Sequence, residues 1–445
     1  MKNTFYVSCP IDTYSGYGAR SRDFVKALIE LDRYDVKILP QRWGNTPFGF
    51  IDNNPDWEFL NKHVCWDVPP GQVPEKPDIW CQVTVPNEFQ PVGNFNIGVT
   101  AGIETTLCDA EWVEGMNRMN LNLVSSNHSK HVFEISKYFK NDKNTGQQLG
   151  EIVLNKPTEV LFEGADLNIY KPTKTFNNKE LYDQINSISE KYAFLCVGHW
   201  MQGELGEDRK NIGLTLRSFY EVFKNKKNKP ALILKTCAVG SSCIDRDQIQ
   251  SKIDSIRRSC EGDLPNVYLL HGEFSNLEMN ELYNHPKVKS MISLTKGEGF
   301  GRPLLEFSLV NKPIMASGWS GHTDFLNPEF TGLLNGKLTN VHKSAAVSKM
   351  LLDNSQWFSP DHNAIAGFYK DFIKNKKEWN KRAKRQGYQS RSKFSFDKMK
   401  ELLGKLLDNY VKDIPKNVAL NLPKLEKVSP KKEMPTLKLP TLKKV

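Results

Sequence analysis

Two α/β domains, each a parallel sheet covered by helices and facing the other across a cleft, are the fold class this sequence predicts. Three observations carry the prediction. The chain has 445 residues, which at roughly 150 per domain is two or three domains. Short apolar runs alternate with segments of helical period in two successive series, the order that builds parallel sheets. Two glycine-bearing segments, IDTYSGYGAR at 11–20 and KGEGFG at 296–301, each follow a strand-like run and precede a helical one, the strand–loop–helix start of a nucleotide-type unit. The predicted division is 1–175, 176–370, closing helices over 371–412, and a tail over 413–445.

The first series opens with the strand-like run Thr4–Cys9 and a helix whose Phe24, Leu28 and Leu31 share one face. Further strands are predicted at 79–85, 97–100, 121–125 and 159–162, with helices over 109–119 and 127–139. Ser126 suits the cap of the latter, and the polar run 141–150 reads as a surface loop. A turn-rich stretch at 171–180 reads as a linker. The second series places strands at 192–197, 231–236, Val267–Leu270, Val288–Ser293 and 313–316. Helices fit between them, one over Ile212–Phe223 and one opened by the capping-box pattern SNLE at Ser275. From Trp357 to about Tyr410 the pattern is helical. Five prolines and a repeated PTLK then make the tail extended, because proline denies it a helix or a central strand.

Composition narrows the function classes. A hydrophobic fraction of 39% with 25% charged residues is that of an ordinary globular chain, which excludes a fibre or a largely disordered protein. No run of 18 apolar residues spans a bilayer, and the first residues do not read as a signal peptide. Eight scattered cysteines without metal-like spacing fit a reduced, cytoplasmic chain, in the host cytoplasm if the source is viral. The net charge is +10, and residues 413–445 contribute +5 of it, eight Lys against Asp413, Glu426 and Glu433. Such a tail can touch nucleic acid or an anionic surface, or simply solubilise the chain.

The run ISLTKGEGFGRPLLEFSLVNKPIMASGWSGHTDFL (292–326) concentrates the chemistry. Proline at 303 fits a first helical turn, and glycines at 297, 299 and 301 let backbone N–H groups approach an anion there. Glu298 precedes the helix and Glu306 lies about one turn inside it, four residues and roughly 6 Å beyond Arg302. Carboxylates beside a phosphate repel it, so they are better read as acceptors for hydroxyl groups. A nucleotide sugar has that layout, with ribose hydroxyls on one side of its diphosphate and sugar hydroxyls on the other.

E-x7-E with an internal GFG, followed by an apolar helix and KPIMASGWSGH, resembles the retaining family 4 (group 1) glycosyltransferases of the GT-B fold. FEGADLNIYKP (162–172), SSNHSKHVF (125–133) and FLCVGHW…RKNIGL (194–214) are similar to further segments of that family, in the same order. The resemblance covers about residues 4–410 and implies that the closing helices over 371–412 pack back across both domains. It implies that Glu298 binds donor-sugar hydroxyls, that Glu306 binds the ribose, and that the backbone of Gly299, Phe300 and Gly301 meets the diphosphate. Lys210 matches the family's lysine on the leaving group. His199 stands where the family has an arginine, and Arg209 can supply that charge. Lys235 is a further cation, while Gly16 and Gly18 match the family's N-terminal glycine loop. His322 is placed near the donor sugar, and Glu104 and His128 on the acceptor side.

The implied reaction is transfer of a sugar from a UDP-, GDP- or ADP-sugar to a glycan, lipid or protein, with retention at the anomeric carbon and no obligatory cofactor or metal. Two alternatives stay open: a phage-type glycosyltransferase acting on DNA, and a catalytically inactive structural or binding relative. The DxD of Asp245-Arg-Asp247 reads as a surface loop rather than a metal site.

Overall fold

The computed structural model describes residues 2–142, 145–238 and 240–412. The tail reading, residues 413–445, lies outside them. The first half is a six-stranded parallel sheet built from β1 (Thr4–Cys9), β2 (Asp35–Pro40), β3 (Ile79–Val83), β4 (Phe95–Thr100), β5 (Leu121–Val124) and, after an antiparallel hairpin of β6 (Tyr138–Asn141) and β7 (Gln148–Ile152), β8 (Thr158–Val160). Its order is β2-β1-β3-β4-β5-β8. Both faces are covered, as parallel sheets require: Phe5, Val7 and Cys9 enter one core and Tyr6 the other.

The second half repeats the plan with β9 (Ala193–Val197), β10 (Ala231–Lys235), β11 (Val267–Leu270), β12 (Val288–Ser293), β13 (Ile314–Ser317) and β14 (Gly332–Leu334), in the order β11-β10-β9-β12-β13-β14. A small antiparallel pair, β15 (Gly336–Asn340) with β16 (Gln356–Pro360), is added to it. In both halves the strand order reverses beside the first strand, between β1 and β3 and between β9 and β12. Ligands of such sheets bind beyond the carboxyl ends at that reversal.

The strand expectations at 97–100, 121–125, 192–197, 231–236 and 313–316 meet observed strands to within a residue or two. Local expectations differ from the structure in several places, and the helical pattern read from Trp357 begins only at His362, because Gln356–Pro360 pairs as β16 with β15. The strand β2 went unpredicted, because Asp35 and Lys37 break its apolar run at the sheet edge. The helix expected over 127–139 stops at Ile135, where the Ser136 hydroxyl bonds back to the Val132 carbonyl and its oxygen accepts from the Cys108 N–H. That local bonding ends the helix. The chain then enters the β6–β7 hairpin, so the expected loop at 141–150 is strand at both of its ends, at Asn141 and from Gln148 onward.

The last two helices pack on opposite halves. Lys376–Lys393 lies on the second, its Gln386 amide donating to the Phe325 carbonyl at 2.7 Å. Phe396–Tyr410 sends Met399, Leu403 and Leu407 into a first-half core. The crossing is pinned at Ala165, which bonds through its backbone to Phe394 and Phe396. Charge is unevenly spread over these elements. Lys376–Lys393 carries eight cationic side chains against Glu378, a net +7 that the modest overall balance conceals. Among the described residues no helix is long and apolar enough to cross a membrane.

Candidate functional site

The loop after β12 meets the loop after β4 where the two carboxyl edges face each other. The meeting is close. A Cβ on Gly297 would fall 1.9 Å from the Glu104 carbonyl oxygen, and one on Gly299 2.3 Å from that of Ala101. These glycines therefore serve the approach of one backbone to another, a reason for them that needs no ligand. Gly301 caps the helix Arg302–Ser308 at φ +94°, in the left-handed region that glycine adopts without strain.

Glu298 sits in this contact with 6% of its surface exposed. Its N–H donates to the Ser320 hydroxyl at 2.9 Å. Its carboxylate accepts from the Lys210 ammonium at 2.6 and 2.7 Å, and Arg209 lies 3.7 Å away. Burial alone raises such a carboxyl, but the two cations outweigh it and hold Glu298 at about 2. Arg209 also reaches Glu104 of the first half at 3.5 Å and donates to the Gly297 carbonyl at 3.2 Å. Four groups of alternating charge thus span the junction.

Glu306, eight residues on, is buried in different company. Arg302 Nε donates to one oxygen at 2.9 Å and the Tyr283 hydroxyl to the other at 3.1 Å. Burial raises its carboxyl above the ordinary range despite Arg302. Arg302 also pairs with Asp23, on the helix Gly16–Leu31 of the first half.

The remaining expected residues fall in three places. His322 is fully buried; one ring nitrogen contacts the Ser317 carbonyl oxygen at 2.6 Å, and burial lowers its imidazole. His128 packs edge-on against Trp319 at 4.6 Å between ring centres, and burial draws it down to about 4. Lys210 and His322 act electrostatically on Glu298, so these groups share one neighbourhood. Phe300 points away, into the core against Phe325. Lys235, at the end of β10, donates to the Gly272 carbonyl at 2.6 Å and lies over Phe274. Gly16 and Gly18 are in the first turn of their helix rather than in a loop before it. A Cβ on Gly18 would meet the Thr13 carbonyl at 2.3 Å, whereas one on Gly16 would meet nothing within 4 Å.

Sequence reasoning missed Ser320, Asp23 and Tyr283. Ser320 had a legible signal, a small hydroxyl residue beside glycine in GWSGH; the other two had none, since each meets the site from another element. The DxD is a correction. Asp245 and Asp247 lie in the helix Cys243–Arg258, where Asp245 accepts from the Ala238 N–H and contacts His271 at 2.7 Å. Among the described residues no three His, Cys, Asp or Glu side chains gather as a metal site.

No protein-family model matches the chain, and no curated protein matches it in sequence. Solved structures do match in shape. A glycosyltransferase from Rickettsia africae superposes with a TM-score of 0.59 at 12% identity, over 93% of this chain and 99% of that one. Sucrose-phosphate synthase from Thermosynechococcus elongatus gives 0.58 at 12%, over 92% and 99%. HepE from Anabaena, solved with UDP-glucose, gives 0.56 at 15%, over 92% and 100%. At these identities the likeness establishes the fold: two Rossmann-like parallel-sheet halves in the GT-B arrangement.

Proposed function

We propose that this chain is a glycosyltransferase that takes a sugar from a nucleotide-sugar donor at the carboxyl edge of the second sheet and passes it, with retention, to a glycan, lipid or protein acceptor held by the first. The observation that carries the reading is the Glu298–Lys210–Arg209 cluster, set where the second sheet reverses its order and joined through Arg209 to Glu104 of the facing half. In this reading Glu298 accepts from donor-sugar hydroxyls and Glu306 from the ribose. A diphosphate would compete with Glu298 for Lys210 and Arg209. Negative charge grows on the departing diphosphate, so fixed cations stabilise the transition state more than the ground state. The acceptor's proton passes to the leaving oxygen, and no metal step is required. A cytoplasmic location belongs to the same reading, in keeping with eight free cysteines.

A thermal-shift screen against UDP, GDP, ADP and CMP and their common sugars tests it, with Glu306→Ala alongside. A ligand at 100 times its Kd stabilises by about 2.7 kcal/mol. One nucleotide should shift the wild type and not the variant. No shift from any of them removes the reading and leaves the inactive relative. Product anomeric configuration by NMR then decides retention.

The basic helix Lys376–Lys393 favours a second reading, in which the acceptor is DNA. Its outer face exposes Lys377, Lys381, Lys384, Arg385 and Tyr388, and a cavity of about 490 Å³ lies among Lys384, Arg385, Tyr388 and Phe330. Duplex affinity would then fall steeply with salt. Absent or salt-independent binding sinks it.

A further inference from the structure

We infer that Arg302 is a positioning residue that sets the Glu306 carboxylate only when Asp23 of the opposite half is in place, so that donor recognition is tied to closure of the cleft. One guanidinium serves two carboxylates from different halves. Its Nε holds Glu306 at 2.9 Å, and a terminal nitrogen is bonded to Asp23. Asp23 is 6% exposed, and Glu306 5%. The planar fork of arginine can bridge two acceptors in fixed directions, which an ammonium cannot.

The plainer explanation is an i,i+4 pair that stabilises a helix. Two facts oppose it. The helix Arg302–Ser308 has only seven residues, with Arg302 at its first position. A cation there faces the positive end of the helix dipole, so its place is favourable only through the carboxylates it meets. The surroundings are built for the bridge. Arg20, fully buried on the same helix as Asp23, donates to the carbonyls of Leu161 and Phe162 and so fixes the segment that crosses between the halves. Glu163, the next residue, is also buried and acts electrostatically on Arg302. Tyr283 holds the other oxygen of Glu306. If the halves part, Asp23 leaves with the first, and Arg302 is free to turn. Glu306 then keeps the hydroxyls of Tyr283 and Tyr170 and loses its fixed guanidinium.

The inference rests on the role proposed for Glu306, so the test reads closure and donor binding separately. Full-length wild type, Asp23→Asn, Arg302→Lys and the double variant are compared by small-angle X-ray scattering without ligand. The nucleotide sugar that shifts the wild type is then titrated into each, and KM and kcat are measured. Asp23→Asn is expected to broaden the distance distribution and to weaken donor binding about tenfold or more, raising KM further than it lowers kcat. Arg302→Lys should match it, and the double variant should lose no more than either, the signature of one shared interaction. Losses that multiply overturn the inference, as does Asp23→Asn with unchanged scattering and affinity within about twofold of wild type. If wild type binds no nucleotide at all, the transferase reading fails, and scattering by itself decides whether Asp23 and Arg302 hold the cleft. Should Asp23→Asn not fold, Arg302→Lys carries the same two readouts.

Discussion

Glu298 and Glu306 stand at the two ends of one loop-and-helix segment, both nearly buried, yet their carboxyls are displaced in opposite directions. Glu298 meets Lys210 and Arg209 together and is held at about 2. Glu306 meets one guanidinium, already shared with Asp23, and burial prevails. Depth in the protein is the same for both; the number of cations committed to each differs. The same residue type, eight positions apart, thus stands in two different electrostatic settings.

The strongest way to break this comparison is Glu298→Gln. If the carboxylate acts in transfer, losing charge-assisted bonds worth about 1.5–3 kcal/mol lowers kcat/KM by about 10- to 150-fold in a sugar-transfer assay. The same variant should cost roughly 3 kcal/mol of folding stability near neutral pH, given a carboxyl brought from the ordinary range to about 2. Glu306→Gln, whose carboxyl is displaced upward, should cost clearly less in the same urea titration. Equal losses would mean that the two environments do not differ as argued.

Next in size is Gly297→Ala. With the Glu104 carbonyl 1.9 Å from the new methyl, the loops must part. Activity should then fall about tenfold or more for a misplacement near 1 Å, and the scattering profile should broaden. An active, closed variant would show that the loop contact does not set the site.

The pH dependence sharpens the comparison further. Glu298 has a depressed carboxyl, so its contribution is present above the ordinary glutamate range and is lost only as pH falls toward 2. His128 and His285 are drawn down to about 4 by burial. Below an ordinary imidazole value of about 6.5 the unfolded chain binds protons that these folded rings refuse, so stability declines from about pH 6.5 to 4. Denaturant titrations at pH 7, 5.5 and 4.5 should show this early loss, and His128→Phe should flatten it. The smallest effect belongs to Gly16→Ala, which meets no atom within 4 Å. It should be neutral or stabilise by up to about 1 kcal/mol, and a large loss of activity would place a ligand there.

Much of the architecture was legible in the chain. The strands β9 and β13 lie where buried apolar runs stand between turn residues, because a strand covered on both faces is apolar along most of its length. The cap at Ser126 and the capping box at Ser275 were equally plain, since a cap is satisfied within three residues of itself. Glu298 stood out from the glycine loop around it, whereas Lys210 and Arg209 could be singled out only through the resemblance of their segments to a family. Nothing local distinguishes a glutamate that will be paired from one that will face water.

The sequence by itself determined two successive strand-and-helix series, the place of the glycine loops and the identity of the charged groups, because periodicity, turns and caps are governed by neighbours along the chain. Tertiary structure alone decided that Gly297 and Gly299 press on the backbone of 101–104, that Ser136 ends a helix in favour of a hairpin, and that Arg302 reaches Asp23. Those outcomes depend on groups brought together from distant segments, where burial and the count of opposing charges set the energy. No property of a residue's sequence neighbours encodes either quantity.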